Sequence, residues 1–225
     1  MNRYRAKKKV FSFLKTFMLF LLVVIIAFPF WQLIVSSMLD TNAIISYPPK
    51  FWPSGGSLDN YTEVLKMQGG AYLRWMLNSV FVAGSNTVLV VLVASMAGYA
   101  FAKRRFPGSK VLFNVVVATQ IIPSVTTLIP LFLIVSKLGW VNTYKSLVFP
   151  GVASAFGVYM MTQFMKDIPD SLIEAAKIDG CSNYGTFFKI VLPITVPQLS
   201  LLAIFNFTQQ WGSRSEEHTS ELQSH

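Results

Sequence analysis

Ser171-Leu-Ile-Glu174-Ala175-Ala176-Lys-Ile-Asp179-Gly180-Cys-Ser-Asn-Tyr-Gly-Thr-Phe-Phe-Lys-Ile190-Val-Leu192-Pro193 lies between two long apolar stretches. Asp170 or Ser171 can cap a helix start, and Glu174 falls in its first turn, where negative charge suits the helix dipole. Ala175 and Ala176 are strong helix formers with almost no bulk, so another helix can pack closely there. Gly180 permits the positive-φ turn that ends the helix. Residues 183–189 are expected to form a second short helix, with Tyr184, Phe187 and Phe188 on its apolar face. Pro193 and Pro197 punctuate the start of the next apolar segment. The reading predicts a compact helix–turn–helix spanning the loop 166–192.

Outward from this loop the chain reads as membrane. It is 53% hydrophobic and only 13% charged, and the charges avoid the apolar runs. Apolar runs at residues 17–35, 78–102, 111–135, 147–165 and 194–211 approach or exceed the ~20 residues that cross a ~30 Å hydrocarbon core. Lipid offers the backbone no hydrogen-bond partners, so such runs should be helices. The expected fold is an all-α integral membrane protein with five transmembrane helices. The first run is followed by no small-residue cleavage pattern and reads as a retained helix. Small residues recur on the second, Gly84, Ser85, Ala94, Ser95, Ala97 and Gly98, and should let helices approach closely. The third contains Pro123 and Pro130, either of which can bend it. Residues 39–75 are polar and turn-rich, with one short helix expected at 58–67, capped by Ser57 or Asp59.

Charge orients the chain. Arg3, Arg5, Lys7, Lys8, Lys9 and Lys15 precede the first run, Lys103, Arg104, Arg105 and Lys110 follow the second, and Lys166, Lys177 and Lys189 lie in the loop. Counting from a cytoplasmic N-terminus puts these thirteen basic residues on one side and Lys50, Lys66, Arg74, Lys137 and Lys145 on the other. That bias is the positive-inside pattern, and it places the loop in the cytoplasm. The net charge of +9 therefore reads as membrane topology and not as nucleic-acid binding. Cys181 stands alone, so no intrachain disulfide can form, and a packing role is expected for a reduced thiol in this loop.

Residues 212–225 change character. Arg214-Ser-Glu-Glu-His-Thr-Ser-Glu-Leu-Gln-Ser-His225 reproduces the translation of a common DNA sequencing adapter and holds both histidines of the chain. Three regions are expected: a basic cytoplasmic N-terminus at 1–16, a truncated transmembrane domain at 17–211, and an artefactual tail at 212–225. His218 and His225 are accordingly set aside as ligands.

Several function classes find no residues to carry them. The apolar runs hold almost no ionisable side chain, which weakens the alternative of an ion-coupled secondary transporter or channel subunit. No catalytic, metal or cofactor constellation stands out, and there is no phosphate-binding glycine loop, so any ATP must be hydrolysed by another chain. Polar residues within the runs are Asn86, Thr119, Gln120, Ser124, Thr126, Thr127, Ser154, Tyr159 and Thr162. Each reads more readily as a helix–helix hydrogen bond than as a substrate contact.

The spacing of Glu174-Ala175-Ala176, Gly180, Ile190, Leu192 and Pro193 resembles the signature loop, or EAA motif, of bacterial binding-protein-dependent ABC importer permeases. Asn78-Ser79, Arg105-Phe106-Pro107-Gly108, Ile129-Pro130-Leu131-Phe132, Leu138-Gly139-Trp140-Val141-Asn142-Thr143-Tyr144 and Ile168-Pro169 extend the likeness to carbohydrate importers of the maltose-permease G-subunit type. An ordinary amphipathic loop would account for the caps and the glycine, but not for all seven signature positions together. The resemblance implies a six-helix, multi-pass subunit of the bacterial inner membrane, so that a sixth helix would follow Trp211. It also implies a second permease subunit, a cytoplasmic ABC ATPase dimer and an extracytoplasmic sugar-binding protein. In such a complex Glu174 would pair with a basic ATPase residue, Gly180 would make the turn, and Asp179 to Thr186 would sit in an ATPase cleft.

Overall fold

The computed structural model describes the backbone of residues 2–53, 55–104 and 106–222, and the side chains of most of these outside 1–8, 10, 41, 68 and 213–222. Arg105 thus lies outside the described residues, as do the side chains of Arg3, Arg5, Lys7 and Lys8 and those of the 212–225 tail beyond Gly212. Among the described residues the secondary structure is entirely helical. The chain divides into two compact units, 1–75 and 76–225.

In the first unit, α1 (Asn2–Ser37) carries a 27-residue apolar segment, Phe11–Ser37, that is long enough to cross a membrane. Pro29 is accommodated inside it. The polar segment after it folds back on its C-terminal end. The Trp31 indole Nε1 donates to the Phe51 carbonyl at 3.0 Å, and the Trp31 and Trp52 rings lie 5.2 Å apart. Asn60 Nδ2 donates to the carbonyls of Ser37 and Leu39 at 3.0 and 2.9 Å, satisfying acceptors that a helix end leaves open. Asn60 belongs to α2 (Asp59–Lys66), the short helix expected in this region. Neither expected cap is used: the N-cap position is Leu58, without a side-chain bond, and the Ser57 Oγ accepts from the Asp59 N–H at 3.2 Å in the turn that leads into the helix.

In the second unit the long element is α3 (Ala71–Lys103), a second membrane-length helix that begins seven residues earlier than expected. It crosses α6 (Ala155–Lys166) at close range. A Cβ on Gly98 would stand 2.7 Å from Met161 Cβ and 3.0 Å from the Met161 carbonyl carbon, so only glycine fits. One crossing turn away, a Cβ on Gly157 would meet Ala94 Cβ at 3.1 Å. Gly98 and Ala94 of α3 thus allow the close approach the sequence anticipates, whereas Gly84 faces open space. A buried core gathers at this crossing, from Ala94 and Tyr99 of α3 through Met161 and Met165 of α6 to Leu202 of α9 (Val196–Leu222).

Two expected helices do not form as single rods. The third run becomes α4 (Ser109–Ala118), a 3-10 turn Thr119–Ile121 and α5 (Ser124–Lys137), bent by 103° at the break. Pro123 is the cause, since it forces Ile122 into an extended conformation (ψ 119°). Pro130 stays within α5. The fourth run, expected as one helix over 147–165, is instead a short helix Tyr144–Val148, an irregular stretch containing Pro150-Gly151, and the 12-residue α6. At 1.5 Å per residue α6 is roughly 18 Å long, short of a bilayer core. The described residues therefore hold two helices able to cross a membrane alone, or up to four crossings if each bent pair counts as one, against the five expected. α9 continues without a break to Leu222, through the start of the tail.

A polar knot joins α3, α9 and the end of the short Tyr144–Val148 helix. Asn86 is fully buried, and its Nδ2 donates to the Val148 carbonyl at 2.7 Å. Asn206 Nδ2 donates to Asn86 Oδ1 at 2.9 Å and to Thr87 Oγ1 at 3.1 Å. Asn86 thus makes the helix–helix bond expected of it. The other threonines do not: Thr119, Thr126, Thr127 and Thr162 each donate to a carbonyl three or four residues back in their own chain segment. Ser154 caps α6 by accepting from the Gly157 N–H at 3.0 Å.

Replacing Gly98 by Val should cost about 1–3 kcal/mol, because the clash is with backbone as well as side chain. Gly84, whose Cβ position is open, should tolerate Ala with a change within about 0.5 kcal/mol. Loss of helical circular dichroism during detergent titration distinguishes the two.

Candidate functional site: the 166–192 loop and its basic cleft

The loop folds as the expected helix–turn–helix. Its first helix, α7 (Asp170–Ile178), starts after Pro169, and neither Asp170 nor Ser171 supplies a side-chain cap; this corrects the sequence expectation. Pro169 ends the preceding turn and leaves Asp170 inside the first turn, where its carboxylate faces another partner. At the far end Gly180 adopts φ +78°. The Gly180 N–H donates to the Lys177 carbonyl at 3.0 Å and the Cys181 N–H to the Ala176 carbonyl at 2.9 Å. This pair of bonds is a Schellman turn, which requires the left-handed residue the sequence supplies.

The second helix, α8 (Asn183–Thr186), is capped by Ser182, whose Oγ accepts from the Gly185 N–H at 3.1 Å. It runs into a π-helical turn, Phe187–Val191, and then the short Leu192–Ile194 turn. The wider turn changes which side chains face inward. Phe187 is buried and lies 5.3 Å from the Tyr99 ring, whereas Tyr184 and Phe188 are exposed. The apolar face expected for this helix therefore reduces to Phe187 and, further on, Val191.

The singled-out residues divide between two faces. Ala176 is buried, beside Ile173 on the inner side of α7. Leu192 packs partly against the same core. Glu174, Ala175, Asp179, Gly180 and Pro193 are exposed, and Ile190 is half-buried. Ile178 is 86% exposed, an unusual position for isoleucine. After Pro193 the chain bends by 77° into α9, with the Thr195 hydroxyl donating to the carbonyls of Val191 and Leu192, both at 3.1 Å.

What holds the loop against the long helix is a lysine. Lys103 is the last residue of α3, and its side chain is only 4% exposed. Its ammonium donates to the carbonyls of Lys166 and Ile168 at 3.2 and 2.5 Å and to Asp170 Oδ1 at 2.8 Å. One cation thus satisfies acceptors at the end of α6 and pairs with the first residue of α7. Arg104 adds a hydrogen bond from Nη1 to Asn183 Oδ1 of α8. Sequence reading placed both residues among cytoplasmic-side charges and missed this role; the available signal was a lysine ending an apolar run just before the loop's partners.

Beside this clasp opens a cleft of about 960 Å³, lined by residues of α3, α4, α6 and α7 and of the turn between α3 and α4. Glu174 lines it, together with the basic side chains of Lys110, Lys166 and Lys177.

The chain belongs to the binding-protein-dependent transport system inner membrane components, whose family model matches residues 90–213. It is 33% identical over 211 residues to the arabinooligosaccharides transport system permease protein AraQ of Halalkalibacterium halodurans, covering 93% of this chain and 75% of the relative. It is 31% identical over 207 residues to the polygalacturonan/rhamnogalacturonan transport system permease protein YtcP of Bacillus subtilis, covering 92% and 71%. Among solved structures, a bacterial ABC transporter involved in the import of the acidic polysaccharide alginate matches with a TM-score of 0.74 at 22% identity, over 90% of this chain and 71% of that one. That likeness concerns the fold.

Lys103→Met should leave the Lys166 and Ile168 carbonyls without this donor and remove the Lys103–Asp170 ion pair, at a cost of about 1–3 kcal/mol. Hydrogen exchange should accelerate at amides 168–179 and stay unchanged in Lys189→Met, whose side chain is exposed on the loop.

Proposed function

We propose that this chain is the permease subunit of an ATP-driven importer for a sugar or oligosaccharide, forming half of a translocation path. The observation that carries the reading is the exposed outer face of the loop, Glu174, Ala175, Ile178, Asp179 and Gly180, presented by a clasped inner face. An exposed Ile178 beside two carboxylates suits a protein partner better than open solvent. The partner is a cytoplasmic ABC ATPase dimer, with Glu174 pairing to a basic residue on it and residues 179–186 entering its cleft. ATP is hydrolysed on that separate subunit, and this chain supplies no catalytic group.

The remaining partners are a second permease subunit, an extracytoplasmic sugar-binding protein and the lipid bilayer. Five crossings with a cytoplasmic N-terminus fit the distribution of basic residues, with the third crossing bent at Pro123 and the fourth divided at Pro150-Gly151. Relatives named for arabinooligosaccharide and polygalacturonan/rhamnogalacturonan transport support a carbohydrate substrate. Residues 212–225 are read as foreign to the permease on sequence grounds.

Glu174→Arg should abolish sugar-dependent growth in a strain relying on this permease and its genomic neighbours, and should release the ATPase during affinity purification. Uptake and co-purification that both survive the substitution would rule the docking role out.

A further inference from the structure

The cleft beside the loop carries more positive charge than its own residues offset. Lys103, Arg104, Lys110, Lys166 and Lys177 line it, against Asp170 and Glu174, an excess of three positive charges. Lys103 is occupied by Asp170 and two carbonyls, and Arg104 by Asn183. The Lys166 ammonium lies 5.5 Å from the centre of the Phe113 ring. Lys110 and Lys177 make no hydrogen bond or ion pair among the described residues. Like charges held around one concave space repel each other and create a strong attraction for an anion.

The position of the cleft narrows the kind of anion. Lys103 ends a membrane-length helix, so the cleft sits where an apolar span gives way to polar chain. One wall is aromatic: Phe101, Phe106 and Phe113 line it, with Phe113 5.5 Å from Phe101. Cations above an apolar wall at the end of a span suit an amphiphile with an anionic head. We infer that the cleft binds a phosphate group, and that the aromatic wall selects a phospholipid headgroup over free phosphate. Lys110 of α4 and Lys177 of α7 contact the phosphate from opposite elements, and the glycerol and upper acyl carbons lie against the phenylalanines. Occupancy would then tie α7 to α4 through the lipid. This site is independent of what the transporter carries.

The test uses the full chain in vesicles of equal parts phosphatidylglycerol and phosphatidylcholine, extracted and weighed by native mass spectrometry. Phosphatidylglycerol adducts should exceed phosphatidylcholine adducts. The double variant Lys110→Gln/Lys177→Gln should lower that ratio about tenfold or more, the scale expected for two lysines near a membrane surface. Lys137→Gln/Lys145→Gln, on α5 and the Tyr144–Val148 helix, should leave it unchanged. A second arm measures inorganic phosphate binding in lipid-free detergent. Phosphate binding that the double variant loses, without any lipid preference, keeps the phosphate site and overturns the lipid as its source. A double variant of unchanged helicity that matches the wild type in both arms overturns the site itself.

Discussion

The ammonium of Lys103 is the point through which the long helix and the loop communicate. Its side chain is buried, and its three bonds reach the last residue of α6, the turn after it and the first residue of α7. A buried charge is tolerable only when its donors are used, and here all three are. The consequence is mechanical. A force applied to α7 reaches α3 and α6 through charge-assisted bonds, which are shorter and stronger than neutral ones. The tilted ring contact of Phe187 with Tyr99 makes a second connection to α3, from the other arm of the loop. The two connections brace the inner side of the loop against the helices that carry it.

Much of this loop was legible because its determinants are local. A Gly at 180 after an alanine-rich helix demands one kind of turn, and the Schellman bonds follow. The close crossing of α3 could be anticipated from its small residues, since their spacing is written along one helix. What stayed hidden depends on residues far apart in the chain. Lys103 meets Asp170 across 67 positions, and Asn206 meets Asn86 across 120. Hydropathy averages over short breaks, so the runs around Pro123 and Pro150-Gly151 looked continuous although each interrupts a helix. The inward turn of Phe187 without Tyr184 or Phe188 follows from the π-helical turn, which no periodicity of 3.6 anticipates.

The same basic residues serve two ends. Charge beside an apolar span fixes orientation, which needs only the count and the side. The fold then spends those charges individually: one as a clasp, one on α8, and others around a cleft that remains positive. Glu174 faces this cleft from the exposed side of α7, so the residue proposed to meet the ATPase also sits in the field of Lys110, Lys166 and Lys177. The family places such a subunit in the inner membrane.

The central claim is that the outer face of the loop is covered by another protein. Ile178 is its most exposed apolar side chain and Cys181 the chain's one thiol, so Ile178→Cys in a Cys181→Ser background gives a single reporter. Maleimide labelling of that cysteine in membranes should be fast for the permease alone and strongly suppressed when the cognate ATPase is co-expressed. Equal labelling rates with and without the ATPase would contradict the account.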